Sequence, residues 1–275
     1  MAVFADLHAH TTASDGDLKP SELVALAGQR RLGALAITDH DTLKGIPEGL
    51  QAGAALGLRI IPGIEISAIY EPGTLHMLGF FGTYPAGLED DLDKVQKGRL
   101  ERFPKIIQRL NDLGLMVTLE EVSALAGDAQ IGRPHIAKAL IARGYVKSFD
   151  EAFDRLLGKG KPAYVEKEKL SGEEAVDLIL KHGGVPVLAH PFTLELAGTA
   201  LHDFIARLKD CGLKGVEVYY PEHTHAQTRI YRDIAQSLRL IATGGTDFHG
   251  HARNGANLGD TGIDKDRLKA LLDLL

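Results

Sequence analysis

A chain of 275 residues, 44% of them hydrophobic, can bury a sizeable core as one enlarged domain or as two. Its formal net charge of -6 argues against broad attraction to nucleic acid or to an acidic membrane, while leaving room for a small local positive site. Cys211 is the only cysteine, which excludes an intrachain disulfide and any thiolate-rich metal site.

The first ten residues, MAVFADLHAH, hold neither a basic region nor an apolar stretch of signal-peptide length. No window nears the ~20 continuous apolar residues of a membrane span, so a cytoplasmic protein without membrane attachment is expected. VFADL predicts a first strand, and residues 20–31 a helix with Leu23, Leu26 and Ala27 on one face. ALAIT predicts the next strand and residues 46–55 the next helix; LRIIPGIEIS and TLHMLGFF then form an extended pair. The acidic run LEDDLDK at 88–94 reads as a solvated face. From about 98 to 157 the pattern is helical nearly throughout, with glycines after Leu113, Ala126, Arg143 and Leu157 as stops. Alternation resumes after Tyr164. Helices over 173–181, 201–209 and 225–237 precede VPVLAH, KGVEVYY and RLIATGGTDFH, and a helix over 265–274 closes the chain. Cys211, at the end of the second of these helices, reads as buried filler.

Strands alternating with helices imply an α/β protein with a largely parallel sheet, closed or nearly closed as a barrel. The helical stretch reads as an insertion or small cap. The expected boundaries are 1–97 and 166–275 for the barrel and 98–165 for the insertion.

Nine residues able to hold metal ions lie at the ends of the apolar runs: His8, His10, Asp15, His40, Glu65, His76, His190, Asp247 and His249. Imidazole and carboxylate together suit divalent ions such as zinc, manganese and iron. In a β/α barrel the C-terminal ends of the strands converge on one mouth, so large sequence separations do not keep these side chains apart. His8 and His10 point to the same side of an extended strand, as do Asp247 and His249. Glu65 lies in an apolar run, where an unpartnered carboxylate is costly. The bland reading of each residue alone is an ordinary hydrogen-bonded side chain; the joint pattern favours a cluster of ions.

HAHTTASDG, TDHD, PGIEIS, the histidine of LHMLGF, AHP and DFH, in this order, resemble the polymerase-and-histidinol-phosphatase (PHP) family of metal-dependent phosphoesterases. The resemblance spans Ala5 to His249. It implies a distorted (β/α)7 barrel holding up to three divalent ions, Mn2+ first, with Zn2+ or Fe2+ as alternatives. By correspondence one ion takes His8, His10, Glu65 and Asp247, a second Glu65, His76 and His190, and a third Asp15, His40 and His249. Within the family, GRPHIA and GKPAYV are similar to the stand-alone bacterial group. That group is associated with removing the 3'-phosphate of nucleoside 3',5'-bisphosphates such as pAp and with 5'-to-3' trimming of short RNA.

The resemblance implies phosphoester hydrolysis by a hydroxide bridging two ions, without a serine or cysteine nucleophile; Ser14 and Ser67 read as turn and strand residues. Three divalent ions against three carboxylates and one hydroxide leave a surplus of about two positive charges, which suits a phosphate ester. Arg133 and His135, at a helix start that favours anions, are the candidate non-metal catalytic and phosphate-binding residues. Lys161 and Tyr164 are candidates for a second phosphate or a base, with solvated loop residues as the alternative. His223 and His225 read as capping or surface residues or as the pocket rim, and His223 is carried as a substrate candidate with Asn254; Arg253 is a weaker one. His182, His202 and His251 are expected on the surface. The competing readings are a histidinol-phosphate phosphatase and a non-catalytic metal-stabilised PHP module. No obligate protein partner is evident.

Overall fold

The computed structural model describes residues 3–126, 132–165, 170–250 and 255–275, with side chains described for all of these except 93–102 and 126. The chain folds into two compact units, Met1–Leu92 with Leu170–Leu275, and Asp93–Lys169. No helix among the described residues is long and apolar enough to cross a membrane.

The larger unit is a seven-stranded sheet surrounded by helices. Its strands are β1 (Ala5–Asp6), β2 (Ala34–Ile37), β3 (Arg59–Ala68), β4 (Leu75–Phe80), β5 (Val185–Leu188), β6 (Gly215–Tyr219) and β7 (Ile241–Gly244), paired in sequence order. The chain beyond β1 meets the chain beyond β7 through a parallel bridge between Ala9 and Phe248 and the bond from the Leu7 N–H to the Gly244 carbonyl, which brings the sheet round into a barrel. Pairing is parallel except that β4 runs antiparallel to both β3 and β5. No helix separates β3 from β4, and so short a connection cannot carry the chain back to start a parallel strand.

Strand side chains alternate between two faces, and on β2 and β4 the apolar ones fall into two clusters. On β2, Leu35 and Ile37 pack against the outer helices while Ala34 and Ala36 belong to a smaller cluster with Leu78, Phe80, Val185, Val187 and Ile263. The helices round the sheet are α1 (Pro20–Gln29), α2 (Ile46–Leu56), α7 (Gly172–Lys181), α8 (Gly198–Asp210), α9 (His225–Ser237) and α10 (Lys265–Leu272). Their starts follow local chemistry. Ser171 caps α7 by accepting from the Glu174 N–H at 3.1 Å while Glu174 accepts from the Ser171 N–H at 2.7 Å, and Thr224 and Gln227 repeat the exchange at α9.

In the smaller unit lie most of α3 (Leu88–Asp112), then α4 (Leu119–Ala126), α5 (Arg133–Ala142) and α6 (Phe149–Ala152), the last running into a π-helical turn at Phe153–Leu157. Ile106, Leu110, Val122, Ile136, Leu140 and Leu157 form its core.

Four expectations need correction. Cys211 is exposed, because it caps the end of α8 where the chain turns outward before Gly212. The run at 88–94 is only partly solvated: Leu88 and Leu92 are buried as the apolar side of the first turns of α3. His182 is half-buried against that helix, its Nε2 3.1 Å from Asp91 Oδ2. His223 is buried too, as described below.

Candidate metal centre

The alternation that builds the sheet also aims the donors. Ala9 packs in the outer cluster, so His8 and His10 on either side of it point inward. Ile64 and Ile66 of β3 face the outer helices, which turns Glu65 inward. His76 opens β4 beside Ser67, near the end of β3, because β4 runs the other way. His190 and Asp247 follow β5 and β7 with φ of 21° and 52°. Such backbone is strained for residues with a Cβ, at a cost of about 1–3 kcal/mol each, and it tends to persist at functional sites.

Glu65 is the centre of the arrangement. Its Oε1 lies 2.8 Å from His76 Nδ1 and 2.9 Å from His190 Nε2, and its Oε2 lies 3.2, 3.1 and 3.2 Å from His8 Nε2, His10 Nε2 and His40 Nδ1. Asp247 Oδ1 approaches His8 Nε2 at 3.2 Å and His10 Nε2 at 3.0 Å. His249 Nε2 meets Asp15 Oδ1 at 3.2 Å, and its ring stacks on His10 with centroids 4.0 Å apart. All nine predicted donors therefore come together at one place. Among the described residues, three groups hold ligand atoms within 4.8 Å of one another: His8, His10, Glu65 and Asp247; His40, Glu65 and His76; and His10, Asp15, His40 and His249. The first group is the set expected for the first ion. The other two differ from expectation in sharing His40 and His10, and His190 joins through Glu65 instead.

These residues fit divalent cations. His8 Nε2, both nitrogens of His10, His40 Nδ1 and His76 Nδ1 are buried with no hydrogen-bond partner of good geometry, although carboxylate oxygens stand near them. Buried polar atoms left in that state are costly. A cation among them turns the same nitrogens and oxygens into ligands.

Without a cation, protons fill part of its role. Burial alone would lower the His8 and His10 pKa values, but the Asp247, Glu217 and Glu65 charges outweigh it for His8, raising it well above 6.5, and Asp247 and Glu65 raise His10 to about 9. His190 is raised likewise, against its burial, by Glu65. Burial pushes His40 down to about 4, which keeps it neutral. Glu65 and Asp247 are held below the usual carboxylate range, because the surrounding histidines outweigh the burial that would raise them.

Several residues that support these donors were missed in the sequence. Asp6 is fully buried and accepts from the Thr246 N–H (2.9 Å) and hydroxyl (2.6 Å), the His8 N–H (3.2 Å) and the Gly259 N–H (3.0 Å). Its burial pushes its pKa up to about 6 against those hydrogen bonds. Asp39 accepts from the Thr11 N–H and hydroxyl at 2.7 Å and from the Ser14 hydroxyl at 2.6 Å, which pins the loop carrying Asp15. The Tyr220 hydroxyl donates to Asp247 Oδ2 at 2.9 Å. Glu217, fully buried in GVEVY, lies 3.0 Å from His8 Nδ1. The cost of a charge in an apolar strand, which singled out Glu65 in GIEIS, applies equally to Glu217. Because Asp6 satisfies four donors, Asp6→Ala should lower unfolding stability by about 3 kcal/mol or more, each stranded donor costing about 1–3 kcal/mol; an unchanged urea midpoint would contradict this.

The substrate candidates are more scattered. Within the smaller unit, Arg133 Nη1 donates to the Leu157 carbonyl at 3.0 Å, and its guanidinium lies 5.5 Å from the ring centres of both Phe153 and Tyr164. His135 Nδ1 accepts from the Gly132 N–H at 3.0 Å and so serves the start of α5, which leaves the proton on Nε2. Lys161 is exposed. His223 is packed among Phe192, Tyr220 and Tyr231 with Nδ1 3.0 Å from the Val218 carbonyl, because Thr224 takes the capping position and His225 the exposed first turn. Arg253, Asn254 and His251 lie outside the described residues.

The PHP domain model matches residues 6–182. The chain is 34% identical to the 5'-3' exoribonuclease Rnm of Salmonella typhimurium, over 90% of its own length and 86% of the relative's. It is 32% identical to the 3',5'-nucleoside bisphosphate phosphatase of Chromobacterium violaceum, over 93% and 90%. A phosphoribosyl 1,2-cyclic phosphate 1,2-diphosphodiesterase of Eggerthella lenta is also 32% identical, over 89% and 94%. A solved structure from Bifidobacterium adolescentis, assigned as a metal-dependent phosphoesterase, superposes with a TM-score of 0.69 at 31% identity, covering 98% of this chain and 96% of that one. With the family model matched across more than half its length and relatives matched across about nine-tenths, the chain belongs to the PHP-domain family.

Proposed function

We propose that the protein is a phosphoric-ester hydrolase that removes the 3'-phosphate of nucleoside 3',5'-bisphosphates, pAp to AMP and phosphate, and that short RNA is a related 5'-to-3' substrate. The observation that carries the hydrolytic reading is Glu65, one buried carboxylate within 3.2 Å of five histidines from four separate segments. The bisphosphate and RNA substrates are favoured by the Chromobacterium violaceum and Salmonella typhimurium relatives, whose names state those activities.

The nine donors, His8, His10, Asp15, His40, Glu65, His76, His190, Asp247 and His249, are the proposed ligands of three divalent ions, manganese first. Bound there, such ions supply Lewis acidity toward phosphoryl oxygens and make water a nucleophile near neutral pH. The chain's own residues do the rest. Glu65 and Asp247 present fixed negative charge, and Tyr220 ties down the second oxygen of Asp247 so that its first faces His8 and His10. In the smaller unit, Arg133 is the proposed phosphate grip and the His135 Nε2–H the proposed hydrogen-bond donor to the phosphoryl group or the departing ribose oxygen. Tyr164, Lys161, His223 and Asn254 are the remaining proposed substrate contacts.

Manganese-loaded protein should release inorganic phosphate from pAp faster than from histidinol phosphate, and chelation should abolish the release. Intact pAp alongside rapid cleavage of histidinol phosphate, or of a ribose 1,2-cyclic phosphate, would replace this substrate assignment. Arg133→Ala should lower kcat/KM for pAp by about 10- to 100-fold, as expected for one charged hydrogen-bond pair of about 1.5–3 kcal/mol, with unchanged metal content. An unaltered kcat/KM would remove Arg133 from the substrate contacts.

A further inference from the structure

Glu217 touches two of the proposed ligands from behind. It sits on β6 between Val216 and Val218, both of which pack outward, so its carboxylate points into the barrel with no accessible surface. Oε1 lies 3.0 Å from His8 Nδ1, and Oε2 accepts from the His190 backbone N–H at 2.8 Å. None of the three close donor groups includes it. We infer that Glu217 is a positioning residue that aims His8 and His190, which follow two different strands, at the ions without ligating one itself.

The two contacts act differently. At His8, a carboxylate at Nδ1 keeps the ring proton there, which leaves the Nε2 lone pair directed at the gap shared with Glu65 and Asp247, each 3.2 Å away. A histidine ligand backed by a carboxylate is also a more basic donor than one backed by water. At His190 the contact is to the backbone, where φ is 21°, a conformation that persists only if its surroundings hold it. The Glu217 oxygen on that N–H holds the turn that brings His190 Nε2 to 2.9 Å from Glu65.

This inference rests on the reading of His8 and His190 as ligands, and the experiment separates the two. Glu217→Gln keeps the size and one carbonyl acceptor while removing the charge. In titrations with Mn2+ or Co2+ alone, the variant should bind about 10- to 100-fold more weakly than wild type, the range for loss of an outer-shell partner. The Co2+ form should show a changed d–d absorption spectrum, which a fold-stabilising role away from the ions would not move. Wild type that binds neither ion would overturn the ligand reading itself. Equal affinity with an unchanged spectrum in the variant would overturn only the role of Glu217. If the variant does not fold, Zn2+-loaded wild type answers by NMR. An exchange-protected His8 Nδ1 proton with through-space contact to the Glu217 side chain is expected, and a proton on Nε2 instead would refute the inference.

Discussion

Glu65→Gln is expected to bind divalent metal more than about 100-fold more weakly than wild type, beyond the range for outer-shell changes, and to lose turnover by about a thousandfold or more. The size follows from geometry. One carboxylate stands within 3.2 Å of His8, His10, His40, His76 and His190, so replacing an oxygen by an amide nitrogen disturbs two proposed ions directly and the third through His40. Bound metal contributes several kcal/mol to a phosphoryl transition state, and each 1.36 kcal/mol is tenfold in rate. Metal analysis, titration and phosphate release from pAp measure the two losses. A metal-stabilised module without catalysis predicts otherwise: the variant would lose stability and metal, yet wild type would show no turnover above the metal-free protein. Normal turnover by Glu65→Gln would end the assignment of Glu65 to the centre.

Metal affinity should climb steeply with pH between 6 and 8, and the metal-free protein should follow a different curve. His8 lies well above 6.5 and His10 near 9 when no cation is present, so binding at neutral pH must expel their protons. Each proton displaced raises apparent affinity about tenfold per pH unit, hence about ten-thousandfold over two units for two protons. Calorimetry in buffers of different ionisation enthalpy counts the protons directly. The metal-free fold is linked in two ways. The raised histidines contribute stability that is complete below about 6.5 and is lost as pH rises through about 9. The lowered Glu65 and Asp247 contribute stability present above their ordinary values of 4.5 and 3.8 and lost as pH falls further. Metal-free protein should therefore be most stable from about pH 4.5 to 6.5 and lose stability progressively above that. A pH-independent metal affinity would mean that no ligand proton is displaced and that His8 and His10 carry no extra protons in the metal-free protein.

Much of the fold was legible because its signals are local. The apolar spacing and capping residues of α9 set its limits at His225–Ser237, as expected, and those of α1 and α2 within two residues. The donors were legible for a related reason: a charged or imidazole side chain closing an apolar strand is conspicuous against its neighbours. Glu217 in KGVEVYY carries the same signal as Glu65 in PGIEIS and differs from it in lying outside the motifs that carry the family resemblance. Cys211, His182 and His223 were misjudged because exposure at a helix end or under a neighbouring helix depends on what packs there.

The sequence by itself determined which residues alternate, which segments turn helical and which nine side chains carry ligand chemistry, since periodicity, capping and donor type are properties of short stretches. Only the tertiary structure decided that β4 runs antiparallel, which carries His76 to the end of β3 near Glu65, and that Asp6, Asp39, Tyr220 and Glu217 stand behind the donors. Those relations join residues as far apart as His8 and Glu217, and no local pattern encodes them. They exist because charges buried by the closing sheet are costly unless they are paired and hydrogen-bonded.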